Sequence, residues 1–301
     1  MSKEVQQTVN TFFSGELNCG ESPLYDHRHN LLYWIDHAQA GLFRYDFSSA
    51  KLDKLSTPAD VTFVTLQQND GLLLGSTEGI FTLSESGKVR KNSFSGDLIP
   101  YKLNDAIADP KGRIFTGQEA YSDDAPDNVG YLFRISTDGQ ADIVEEGLSI
   151  ANGMGFSPDQ TVFYLIDTIR RELYAYDYSP ESGDIRNRKV LRKFLQEEGL
   201  PDGMAVDEEG FLWVAMWFGS AIFRLDPSGN VASKIQLPFA QPTSLGFGGT
   251  LFQHLYITSA AHYWETPLAP RNHDYTFARG GGVYCMETDF KGVPEYIAAL
   301  K

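Results

Sequence analysis

The sequence predicts an all-β protein, a six-bladed β-propeller that takes up residues 1–301 as one domain. Three observations carry this. The chain consists of short apolar or alternating runs rich in Val, Ile, Phe, Tyr and Trp, set off by Gly, Asp, Asn and Pro, as strands and turns require. Helical periodicity is nearly missing; residues 192–198 show it, for about two turns at most. A couple of strand-like runs also recurs six times at the interval of a propeller blade.

In chain order, the N-terminal run 5–13 is expected to complete the last blade, closing the ring and removing an open sheet edge. The first couple is 32–36 with 41–46, the second 72–75 with 79–83, and the third 114–117 with 130–135. The fourth is 162–167 with 172–177, the fifth 212–215 with 221–226, and the sixth 255–258 with 282–286. Taken at Tyr33, Leu73, Ile114, Phe163, Leu212 and Leu255, the spacings are 40, 41, 49, 49 and 43 residues. Each interval holds about four strands. A β-helix repeats at a much shorter period and a sandwich has none. The Trp-Asp mark of WD repeats and the double glycine of kelch repeats are missing.

Composition narrows the function. A net charge of −15 argues against nucleic-acid and anionic-membrane partners, which need clustered Lys and Arg. Two cysteines, Cys19 and Cys285, are too few for a disulfide scaffold. No apolar leader and no apolar run of membrane-spanning length occur, so the expectation is a reduced, cytoplasmic protein, monomer or homodimer.

Counting back from each marker finds the residue expected at the channel mouth. These are Glu21, Asn104, Asn152 and Asp202, with Thr62 and Thr243 at comparable places in blades two and six. Any one of them is ordinary turn chemistry beside Gly. Four in register, two of them carboxylates, form a ring that repels itself without a cation. Donors that are all oxygen suit calcium, magnesium or manganese. Zinc, which favours His and Cys, is the outlying choice because no His lies in the ring.

Four motifs, Gly20-Glu21-Ser22-Pro23, Leu103-Asn104-Asp105, Ala151-Asn152-Gly153 and Pro201-Asp202-Gly203-Met204, resemble the gluconolactonase, regucalcin (senescence marker protein) and luciferin-regenerating enzyme family. Asn187-Arg188 and Leu212-Trp213-Val214-Ala215 are similar to it as well. The resemblance runs over nearly the whole chain in the right order. It implies that Glu21, Asn152 and Asp202 bind one divalent metal ion, calcium foremost. It further implies that Asp202 is the general acid/base and that Asn104 contacts substrate. Two positions depart from the family pattern. Lys102 stands where Arg is common, and a point charge cannot reproduce Arg's planar fork. Gln118-Glu119 replaces a usual Thr-Met pair, so Glu119 either binds a substrate hydroxyl or is a solvated loop acid.

Two long mouth-side connections are candidates for specificity. One, 120–129, carries Asp123, Asp124 and Asp127; the other, 260–281, carries His262, Trp264, Arg271, His273 and Tyr275. Asp36 and Asp167 end second strands near the mouth and are expected to stabilise turns. The implied activity is metal-assisted opening of a sugar lactone to its acid. In it Asp202 carries the proton and Lys102, Asn104 and Glu119 orient hydroxyls. The rivals are a calcium-dependent phosphotriesterase-like hydrolase and a non-catalytic calcium-binding protein. A serine hydrolase is disfavoured, because no Gly-x-Ser-x-Gly elbow is present.

Overall fold

The computed structural model describes residues 3–4, 8–58, 60–96, 102–121, 129–262 and 266–301. Six antiparallel sheets stand around an axis as the blades of a β-propeller. From axis to rim, blade one is Gly20–Asp26, Leu31–Asp36, Gly41–Asp46 and Lys51–Leu55. The channel strands of the next four blades are Val64–Gln67, Leu103–Ala108, Ala151–Phe156 and Leu200–Val206. That of blade six is Pro242–Gly248.

The rim departs from a uniform four strands. Val9–Phe13 is the outer strand of blade six, antiparallel to Val283–Glu287. Lys3–Glu4 adds a fifth, parallel strand to blade five, and Ser95–Gly96 does the same for blade three. Residues 5–7 of the expected closing run lie outside the described residues. The helix expected at 192–198 is not there. Arg192 and Lys193 still pair with Leu173 and Glu172 in the ladder of blade four, so the strand Ile185–Lys193 uses up the start of the segment. Only Gln196–Glu198 curls, as one turn of 3-10 helix.

The core is divided among the gaps between blades. Trp34 and Tyr256 fill the gap between blades six and one, and Leu42 and Leu74 the gap between one and two. Phe63 and Phe133 follow, then Phe115 and Phe163, Val214 and Ile166, and Trp213 and Ile257. Each such side chain contributes about 1.5–3 kcal/mol through burial, so the ring is stable as a whole and no blade stands alone.

After Glu287 the chain leaves the repeat and crosses the face opposite the mouth. Gly292 bridges to Asp207 of blade five, and Gln160 of blade four donates to the Tyr296 hydroxyl at 3.1 Å. Ala298 pairs with Leu66 and Gln68 of blade two at 2.8 and 2.9 Å, and the Ala299 amide reaches the Gly112 carbonyl of blade three at 2.8 Å. No helix among the described residues is long and apolar enough to cross a membrane.

Candidate functional site

The channel strands share one irregularity at the mouth. In blade one, Glu21 lies opposite Ile35 but the next pair is Leu24 with Tyr33. Blades three to six do the same at Leu103/Ala106, Ala151/Met154, Pro201/Met204 and Pro242/Leu245. Two residues thus oppose one, a β-bulge, which bends the strand and frees side chains from strict alternation. Inside the bulges stand Ser22-Pro23, Asn104-Asp105, Asn152-Gly153, Asp202-Gly203 and Thr243-Ser244. Counting from markers had put Glu21 level with Asn104, Asn152 and Asp202. By register it falls one residue earlier, level with Leu103, Ala151 and Pro201, and its side chain is one methylene longer than that of aspartate.

Gly153 and Gly203 serve close approach rather than turning. A Cβ on Gly153 would lie 2.6 Å from the Asp202 carbonyl oxygen, and one on Gly203 2.6 Å from the Ser244 Cα. Blades four, five and six can therefore bring their bulges together at the axis, which a larger residue would prevent.

Acids at the ends of second strands hold the segments that feed these bulges. Asp36 accepts from the amides of Asn18, Cys19 and Ala38 at 3.0, 3.1 and 3.2 Å. Asp167, fully buried, accepts from the Ser149 amide at 3.0 Å and from the Ser149 hydroxyl. Glu21 and Asn152 each follow directly from such a pinned segment.

Asn152 and Asp202 are 9 % and 3 % exposed, and the Asn152 amide nitrogen donates to Asp202 Oδ1 at 2.5 Å. The same nitrogen reaches Thr168 Oγ1 at 3.2 Å, and that hydroxyl donates to the Pro201 carbonyl at 2.9 Å. Thr168, absent from the sequence reading, locks the pair together. Glu21 accepts from the Ser22 amide at 3.3 Å. Burial, then the charges of Asp202 and Asp105, push the Glu21 carboxyl well above the usual carboxylate range. Burial, then Asp105, does the same to Asp202, opposed by the Asn152 hydrogen bond. Asp105, also not assigned a role from sequence, is pushed up to about 6 by burial. Among the described residues no three His, Cys, Asp or Glu side chains form a metal cluster. The set here is two carboxylates and an amide. Its strained electrostatics, with no basic side chain among the causes, fit a hard divalent ion with oxygen ligands.

Of the residues expected to meet substrate, Lys102 and Glu119 lie side by side. Lys102 Nζ is 3.9 Å from Glu119 Oε1, both about a third exposed, and the Glu119 amide donates to the Lys102 carbonyl at 2.7 Å. The Glu119 charge is felt at Cys19 and at the His37 imidazole in blade one. Asn104 donates to the Ala151 carbonyl at 3.1 Å, tying blade three to blade four. Of the mouth-side connections, Asp123, Asp124, Asp127 and Trp264 lie outside the described residues. His273 packs edge-on against Phe218 and Tyr275, with centroids 4.9 and 4.8 Å apart. Gln196 holds the same connection through the Pro267 and Ala269 carbonyls at 3.2 and 3.0 Å.

A family model described as "SMP-30/Gluconolactonase/LRE-like region" matches residues 19–261. A pentonolactonase of Haloferax volcanii is 33 % identical over 289 residues, covering 96 % of this chain and 97 % of its own. The regucalcin of Oryctolagus cuniculus is 30 % identical over 287 residues, covering 93 % and 94 %. A solved structure of luciferin-regenerating enzyme superposes with a TM-score of 0.88 at 26 % identity, over 98 % of this chain and 100 % of that one.

Proposed function

The chain belongs to the SMP-30/gluconolactonase/LRE-like family, and from that premise we propose that it hydrolyses a sugar lactone with the help of one divalent ion, calcium foremost, held by Glu21, Asn152 and Asp202. The observation that carries the reading is the pair of carboxylates, Glu21 and Asp202, both pushed toward the neutral form by burial and neighbouring acids, with no basic side chain opposing this among the described residues. The naming of a 33 % identical relative as a pentonolactonase supports the substrate class.

When bound, the ion would polarise the lactone carbonyl and offset the charge that develops on its oxygen. Everything else falls to side chains. Asp202 takes a proton from the attacking water and returns it to the ring oxygen as the ester C–O bond breaks, leaving a hydroxy acid. Asn152 and Thr168 hold the Asp202 carboxylate in one orientation. Lys102 donates to substrate hydroxyls, Glu119 accepts from them, and Asn104 presents its amide oxygen.

The test assays metal-stripped protein on a panel of aldonolactones and on an organophosphate, with calcium, magnesium, manganese or zinc supplied singly and pH followed. Lactone opening that one ion restores, and that Asp202→Asn abolishes, supports the reading. Background turnover on every lactone alongside tight calcium binding by calorimetry would replace it with a calcium-binding protein. Turnover of the organophosphate alone would replace it with a phosphotriesterase.

A further inference from the structure

Beneath Glu21, Asn152 and Asp202 the channel continues as a cavity lined by Thr65, Asp105, Ser244 and Glu295 among others. Tyr296, beside Glu295 in the C-terminal segment, lines it as well. The two carboxylates come from unrelated parts of the chain: Asp105 from the bulge of blade three, Glu295 from the crossing segment. Among the described residues Asp105 Oδ1 accepts only the neighbouring Ala106 amide, at 2.7 Å. Burial and the charge of Asp105 push Glu295 up to about 7, and no basic group opposes them.

Thr65 supplies an independent sign. It is 5 % exposed, and among the described residues its hydroxyl has no hydrogen-bond partner. Its neighbours Val64 and Leu66 pack into the apolar gap between blades one and two, so strand alternation turns Thr65 to the other side, onto the cavity. A buried hydroxyl left unpaired costs about 1–3 kcal/mol, and a ligand in the cavity would recover it. The ends of the channel strands show what this chain does with buried acids that serve architecture. Asp109 has Arg113 at 2.5 Å and Asp207 has Arg224 at 2.7 Å.

We propose that the lower channel binds a second hard divalent cation of the calcium type, between Asp105 and Glu295 with the Thr65 hydroxyl as a neutral donor, and that this ion pins the C-terminal segment across the far face. Two carboxylates balance the charge of one such ion, and a hydroxyl with waters in the cavity completes an all-oxygen shell. The inference is separate from the mouth site, whose three residues it does not use.

Equilibrium dialysis of the full chain against calcium, with metal counted per chain, tests it. The wild type is expected to hold two ions, Asp202→Asn one, Glu295→Gln one, and the double variant none. Calcium is expected to raise the melting temperature of Asp202→Asn and to leave that of the double variant unmoved. One ion in the wild type that disappears in Asp202→Asn and is indifferent to Glu295→Gln overturns the lower site. One ion that survives Asp202→Asn but not Glu295→Gln supports the lower site while removing the mouth reading. Should Glu295→Gln fail to fold, Thr65→Val, which keeps the side-chain shape, is expected to weaken one of the two affinities about tenfold. Two unchanged affinities would overturn the proposal.

Discussion

Asp202 and Asp207 stand near opposite ends of one channel strand and are equally hidden, at 3 % and 0 % exposure. Asp207 is saturated with donors. Arg224 reaches it through Nε at 2.9 Å and Nη2 at 2.7 Å, Trp213 Nε1 at 2.9 Å, and the amides of Glu209 and Phe211 at 3.0 and 2.9 Å. Among the described residues Asp202 has one side-chain donor, the Asn152 amide. Burial therefore does not separate an architectural acid from a chemical one. The partners do: where the chain supplies its own cation, the acid holds blades together, and where it supplies none, the proposed reading has the acid take a cation from solution.

The variants that would break this comparison can be ranked by expected effect. Asp202→Asn should lower lactone turnover about a thousandfold while its melting curve holds or rises, since an unpaired buried charge has been removed. Asp207→Ala should do the reverse. It leaves the buried Arg224 with Glu209 alone among the described acids, at 2.6 Å, and should cost about 3 kcal/mol in urea denaturation, with kcat of the folded fraction preserved. If both variants lost stability alike, the distinction between the two acids would collapse. Calcium at a hundredfold excess over its Kd should stabilise the wild type by about 2.7 kcal/mol per site, and the mouth share should be absent from Asp202→Asn.

A smaller effect is expected in pH. In calcium-free protein Asp105 is raised to about 6 and Glu295 to about 7. The native state then binds protons more tightly than the unfolded chain, whose carboxylates titrate near about 4. Their contribution is complete below that pH and is lost as pH rises through about 6 to 7, so stability should fall across this window. Denaturation in chelator at a series of pH values measures the slope, and Glu295→Gln should remove its upper part. The smallest effect belongs to Lys102→Ala, expected to raise KM about fivefold with kcat little changed, as suits a half-exposed hydroxyl contact.

The six blades were legible because couples of strands recur in the chain itself. Glu21, Asn152 and Asp202 were legible because polar residues occupy places a channel strand would otherwise fill with apolar ones, and because their motifs resemble a family. The bulges were not legible, since a bulge is defined by hydrogen bonds between strands; a count along one strand set Glu21 one residue out of register. Gly153 and Gly203 read as turn residues because contact with a neighbouring blade leaves no mark in local sequence. Thr168 is indistinguishable from any threonine after a strand. The crossing segment with Glu295 lies beyond the last repeat, where periodicity has nothing to say. Its placement depends on backbone pairs such as Ala298 with Leu66.

The pairing of Val9–Phe13 with Val283–Glu287 also sets a timetable. Val9–Phe13, made early, waits for Val283–Glu287, made late, so blade six is unfinished while the chain is still being made. Glu21 belongs to blade one and Asp202 to blade five, and only a closed circle sets them side by side. A nascent chain can build blades two to five in order, from mostly local contacts. The proposed site is therefore assembled in a single late step, when the circle closes.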